Sequence, residues 1–135
     1  MAMTAGPGGG VVTGLRQISV GVDDLDRAVA FYADVLGLPV VARFGPLAFL
    51  DLGGVRLFLE AGGERGASVL YLGVDDVRTV RAELERRGVA FEGDAHVVFS
   101  DVEGRFGRPG EDEWLAFFHD SEGNLLALSS RAPSS

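Results

Sequence analysis

Groups able to move protons are few in this 135-residue chain. Glu60, Tyr71 and His119 are the candidate acids and bases, because a carboxylate, a phenol and an imidazole can each exchange a proton with a bound molecule. His96 is the only other histidine. There is no cysteine, which removes disulfides, thiolate zinc sites, iron–sulfur clusters and cysteine nucleophiles together. All 12 basic residues are arginine. A Schiff-base lysine and the lysine of a phosphate-binding loop are therefore excluded. Twenty acidic residues against those 12 give a net charge of −8. Such a surface repels a phosphate backbone, so nucleic acid is not an expected partner. It attracts cations weakly and in a salt-dependent way.

The elements that must position these groups follow from periodicity. Leu15 to Val22 alternates, with Gln17 and Ser19 on one face and Ile18, Val20 and Val22 on the other, as in a half-buried strand. Asp23 or Asp24 can cap a helix in which Leu25, Ala28, Val29, Tyr32 and Leu36 form an apolar stripe. Gly37 suits a left-handed cap, and Pro39 stops the helix. Three strands are predicted next, over Val40–Phe44, Leu47–Leu52 and Val55–Ala61, with Gly53-Gly54 as a hairpin turn. The second half begins with a strand over Ser68–Val74. A helix through Val77, Val80 and Leu84 follows and ends at Gly88. Val89–Phe91 and His96–Ser100 read as strand, broken at Glu92-Gly93-Asp94. Asp101 to Glu113 reads as a long charged loop that could serve as a lid. Trp114–His119 and Asn124–Ser130 are the closing strands.

The order repeats. Gly21-Val22-Asp23-Asp24 recurs as Gly73-Val74-Asp75-Asp76, and both copies run strand, helix, strand, strand, strand. The expected organisation is a leader over 1–14, a βαβββ module over 15–61, a linker over 62–67, a second βαβββ module over 68–130 and a frayed tail over 131–135. Neither module can bury its sheet alone, so the two must pack as one α+β domain. The leader lacks the basic start and apolar run of a secretory signal, and no segment approaches the ~20 apolar residues of a membrane span. A cytoplasmic address is the expectation.

The run VDDLDRAVAFYADVLGLPV and the closing FFHDSEGNLLAL together resemble the vicinal oxygen chelate superfamily. Its members include glyoxalase I, extradiol dioxygenases and bleomycin resistance proteins. Ser121 and Glu122 stand where that family usually has proline and aspartate. The resemblance implies two modules forming a cleft of curved mixed sheet. It also implies four inward positions that hold a divalent metal in the enzymatic members. Through the repeat, those positions map to Gln17, Phe58, Val69 and Ala127. Phenylalanine and valine donate no lone pair, and one amide oxygen does not retain a divalent ion. The expectation is no metal and no other cofactor. A register slip would instead group Glu60 and Gln17 with His96 or His119.

Strand alternation then gives the expected cleft lining: Gln17, Ser19, Arg56, Phe58, Glu60, Val69, Tyr71, Leu125, Ala127 and Ser129. Trp114 and Phe118 join if their strand has the same inward parity. This is a largely apolar, aromatic surface suited to a small molecule. The reading favoured by the resemblance is metal-independent binding of a cationic or planar small molecule, as in bleomycin-type sequestration, with no catalytic residue. The alternative is a metal-dependent lyase, isomerase or dioxygenase with a shifted ligand set. Family members commonly dimerise, so a homodimer is expected.

Overall fold

Both helices begin where an aspartate replaces a missing backbone partner. Asp24 accepts the Arg27 N–H at 3.0 Å, and Asp76 accepts the Arg78 N–H at 2.9 Å. These contacts belong to a computed structural model that describes residues 15–66 and 68–135. The leader expected over 1–14 lies outside the described residues, as does Ala67 at the end of the expected linker.

The first module comprises β1 (Gln17–Val22), α1 (Leu25–Val29), β2 (Val40–Phe44), β3 (Leu47–Leu52) and β4 (Val55–Ala61). From Ala30 to Val35 the first helix widens into π geometry, and the Leu36 N–H reaches back five residues to the Phe31 carbonyl. Gly37 then takes φ +82°, a conformation that favours glycine, and the helix ends. The second module comprises β5 (Leu70–Gly73), α2 (Val77–Arg86), β6 (Phe91–Asp101), β7 (Glu111–His119) and β8 (Leu125–Pro133).

Each module forms a four-stranded mixed sheet, ordered β1-β4-β3-β2 and β5-β8-β7-β6. In each, the first and last strands are parallel and the other neighbours antiparallel. The sequence repeat is therefore a structural repeat, and the fold is two βαβββ modules.

The largest departures from the sequence reading are three. β6 is one strand, because a register shift between Glu92 and His96 absorbs the glycine-bearing break. β7 starts at Glu111, which shortens the charged loop to 102–110. β8 runs to Pro133, so Arg131 belongs to the sheet rather than to a tail.

One face of each sheet packs against helices, and the modules share one core. Tyr32, Leu57 and Leu59 of the first module and Val77, Phe118 and Leu126 of the second all belong to it, fully buried. Polar ties between the modules converge on the β7–β8 turn. The Tyr32 hydroxyl donates to Asp120 at 2.7 Å, and the Asn124 amide donates to the Gly21 carbonyl at 3.0 Å. Burial raises the Tyr32 phenol above its ordinary pKa, and the Asp120 charge raises it further. It therefore stays a hydrogen-bond donor. Asp120 also accepts the backbone N–H groups of Glu122 and Asn124, each at 2.8 Å. The closing motif is thus a joint between modules.

Candidate functional site

Strand register decides which side chains share the face of each sheet that no helix covers. In the first sheet Gln17 pairs with Arg56, Ser19 with Phe58, and Gly21 with Glu60. Their neighbours Ile18, Val20, Leu57 and Leu59 pack into the core. Gln17, Ser19, Arg56, Phe58 and Glu60 therefore stand together on the open face. An aromatic row crosses it: Phe58 stacks on Phe49 at 5.0 Å, and Phe44 meets Phe49 edge-on at 6.1 Å.

In the second sheet Tyr71 pairs with Ala127, and Gly73 with Ser129. β7 aligns Leu115 with Ser129, Phe117 with Ala127, and His119 with Leu125. The open face thus carries Tyr71, Leu125, Ala127 and Ser129. Val69 precedes β5 and is exposed. The expected lining is divided between two sheets whose strands do not pair with each other.

The conditional inward parity of Trp114 and Phe118 does not hold. Both point to the helix side. Arg78 of α2 lies over the Trp114 ring at 4.6 Å, and Phe118 is fully buried against Phe91. The open face of β7 presents Glu111, Glu113, Leu115, Phe117 and His119 instead.

Both histidines lie on the open side of the second sheet. His119 Nδ1 is 2.9 Å from Glu92, and the His96 ring is 6.3 Å from that of Phe117. Glu60 is on the other sheet, so the shifted ligand set of Glu60, Gln17 and a histidine is not assembled within the chain. Among the described residues, no three His, Cys, Asp or Glu side chains form a cluster able to hold a metal. At the positions implied for one, Phe58 is committed to a ring stack and Ala127 is a buried methyl. This donor set does not fit a divalent ion.

The second sheet also has a pocket of about 750 Å³, lined by Tyr71, Phe99, Phe106, Glu113 and Arg131. Only Tyr71 was expected there. Arg131 Nε donates to Glu111 at 3.1 Å, Nη1 to Glu113 at 3.2 Å and Nη2 to Asp101 at 2.8 Å. These bonds, that to Asp101 foremost, raise the Arg131 pKa further. Burial pushes the Asp101 carboxyl upward, but the backbone N–H groups of Phe106 and Arg105 and the Arg131 guanidinium outweigh it. Asp101 therefore sits below its ordinary pKa and stays charged. Glu113 and Phe117 lie in steps of two from His119 along β7 and share its face, an assignment that pairing with β8 fixes.

A family model described as the Glyoxalase/Bleomycin resistance protein/Dioxygenase superfamily matches residues 14–128. The chain belongs to this superfamily. Solved structures agree on the fold. A lactoylglutathione lyase from Agrobacterium tumefaciens superposes with TM-score 0.71 at 22% identity, covering 89% of this chain and 95% of that one. TnmS3, an antibiotic binding protein from Streptomyces, gives TM-score 0.70 at 23% identity, covering 90% and 98%. A superfamily protein from Nocardioides gives 0.69 at 16% identity, covering 90% and 85%. No curated protein matches the chain. An enzyme and a binding protein share this superfamily fold, so the side chains must decide between those roles.

Proposed function

We propose that this superfamily member binds a small organic molecule without a metal and without transforming it, as a sequestering protein would. The observation that carries the reading is the set Gln17, Phe58, Val69 and Ala127, at the positions where the resemblance implies metal ligands. Phe58 extends an aromatic row with Phe49 and Phe44, a surface for flat apolar molecules. The histidines and Glu60 stand on different sheets, which leaves no assembled acid–base pair between them.

The binding unit in this reading is a cytoplasmic homodimer. Val40, Val41 and Phe44 on edge strand β2 and Val97, Val98 and Phe99 on edge strand β6 are all exposed. Unpaired apolar edges of this kind support pairing with a second copy. The net charge of −8 argues against nucleic acid. No helix among the described residues is long and apolar enough to cross a membrane.

Elemental analysis of the purified protein, before and after incubation with zinc, nickel, iron and manganese, tests the reading. Below about a tenth of an equivalent is expected throughout. Thermal stabilisation by a bound ligand should then persist in chelator, by about 2.7 kcal/mol at a hundredfold excess over Kd. One tight metal equivalent per chain, or ligand turnover, would overturn it.

A further inference from the structure

Loop 102–110 is built as one compact piece. Its two ends meet at the Asp101 carbonyl, which accepts the Gly104 N–H at 3.3 Å and the Gly110 N–H at 2.8 Å. Inside it, Gly104 lies against Pro109, where a Cβ would come within 2.7 Å of the proline ring. A loop closed at its ends and packed on itself is a unit that moves whole. Its ties to the sheet pass through two side chains. Asp101, almost fully buried at the end of β6, accepts the Arg105 N–H at 2.8 Å on one carboxylate oxygen and the Phe106 N–H at 2.9 Å on the other. Arg131 of β8 donates from Nη2 to the Asp101 carboxylate at 2.8 Å and to the Arg108 carbonyl at 3.3 Å. The loop backbone also rests on this guanidinium, since a Cβ on Gly107 would lie 3.0 Å from Arg131 Nε. Among the described residues, every hydrogen bond from 103–109 to the rest of the chain goes to Asp101 or Arg131.

Arg131 cannot follow the loop, because Glu111 and Glu113 hold its other nitrogens on β7. One guanidinium therefore joins a fixed sheet to a separable loop. The charge of Asp101 makes this joint decisive. A buried carboxylate that loses its cationic partner is left uncompensated. Without Arg131, Asp101 would be held only by the two backbone N–H groups of the loop. Water reaches it most directly by displacing that loop, since its strand is paired with β7 through Glu111. The loop's closed position thus depends on the Arg131–Asp101 contact.

We infer that loop 102–110 is a cover over the space between Tyr71 and Phe99, that it opens as one piece without unfolding either sheet, and that Arg131 is the positioning residue that latches it shut through Asp101. Phe106, edge-on to Phe99 at 5.6 Å and 74% exposed, travels with the cover. The inference holds whatever molecule enters the space, so it can fail while metal-free binding stands.

Hydrogen exchange of the full chain in low concentrations of urea tests the opening. The Arg105 and Phe106 amides should exchange at rates that urea leaves unchanged, whereas the Leu128 amide at the centre of the second sheet should follow global unfolding. The same urea dependence at all three would overturn the separate opening. Limited digestion with trypsin tests the latch. The Arg105–Phe106 bond is open to this enzyme once the cover lifts, and Pro109 protects the bond after Arg108. Arg131→Gln and Asp101→Asn should each speed cleavage at Arg105–Phe106 at least about tenfold, with cleavage at Arg43–Phe44 on β2 unchanged. The double variant should open the cover no further than either single one, since both break one latch. No acceleration, equal acceleration at Arg43–Phe44, or additive effects in the double variant would overturn it.

Discussion

Glu122 in the β7–β8 turn binds Arg27 of α1 across 95 residues of chain, with Nε 2.6 Å from its carboxylate. The same carboxylate accepts the N–H groups of Asp23 and Asp24, both at 2.9 Å. One side chain of the second module therefore serves the helix entry of the first. Its extra methylene, relative to the aspartate usual in the family motif, lengthens its reach toward that helix.

That arrangement makes stability depend on acid. The Arg27 hydrogen bond holds the Glu122 carboxyl at about 2, against an ordinary value of 4.5. A depressed folded-state pKa stabilises fully above the unfolded value and is lost as pH falls through the folded one. The contribution is on the order of 3 kcal/mol above pH ~5, fading between pH ~4.5 and ~2. Urea denaturation of the parent and of Glu122→Gln at pH 7 and pH 3 checks this. The gap between them should be largest at pH 7 and should shrink at pH 3. A gap independent of pH would mean that Glu122 acts by shape alone.

Gly21 and Gly73 occupy equivalent places in the repeat but differ in their surroundings. A Cβ on Gly21 would lie 2.2 Å from the Glu64 carbonyl oxygen and 2.4 Å from the Gly63 backbone. A Cβ on Gly73 would meet nothing within 4 Å. Gly21→Ala should therefore destabilise by about 2 kcal/mol or more, because backbone must move. Gly73→Ala should stay within about 0.5 kcal/mol of the parent. Melting both variants gives the comparison, and similar losses in the two would refute the close approach.

The repeat explains why so much of the fold was legible in the sequence. Helix caps, turn glycines and alternating strands are local signals, and the GVDD motif gives them twice. The recognition surface was less legible, for two physical reasons. From Trp114 to Phe118 every residue is apolar, so a period of two cannot say which face is which. Only pairing with β8 resolves it. Arg131 looked like a tail residue because its partners Asp101, Glu111 and Glu113 lie 18 to 30 residues earlier, and no local pattern joins them. Asp120, Glu122 and Asn124 carry chemistry-bearing groups, yet each is spent on holding the modules together.

Two adjacent phenylalanines turn the parity of β7 into a measurement. Phe118 is fully buried in the shared core beside Phe91, whereas Phe117 is half-buried on the open face, 6.3 Å from Tyr71. Phe118→Ala leaves a cavity among groups that cannot easily collapse, and should cost about 3–5 kcal/mol. Phe117→Ala removes a ring already partly in water, and should cost about 1 kcal/mol. Denaturant unfolding separates these values well beyond error. The opposite ranking would put Trp114 and Phe118 back on the open face, and would also displace Glu113 from the pocket beneath Phe106, because alternate residues of one strand share a side.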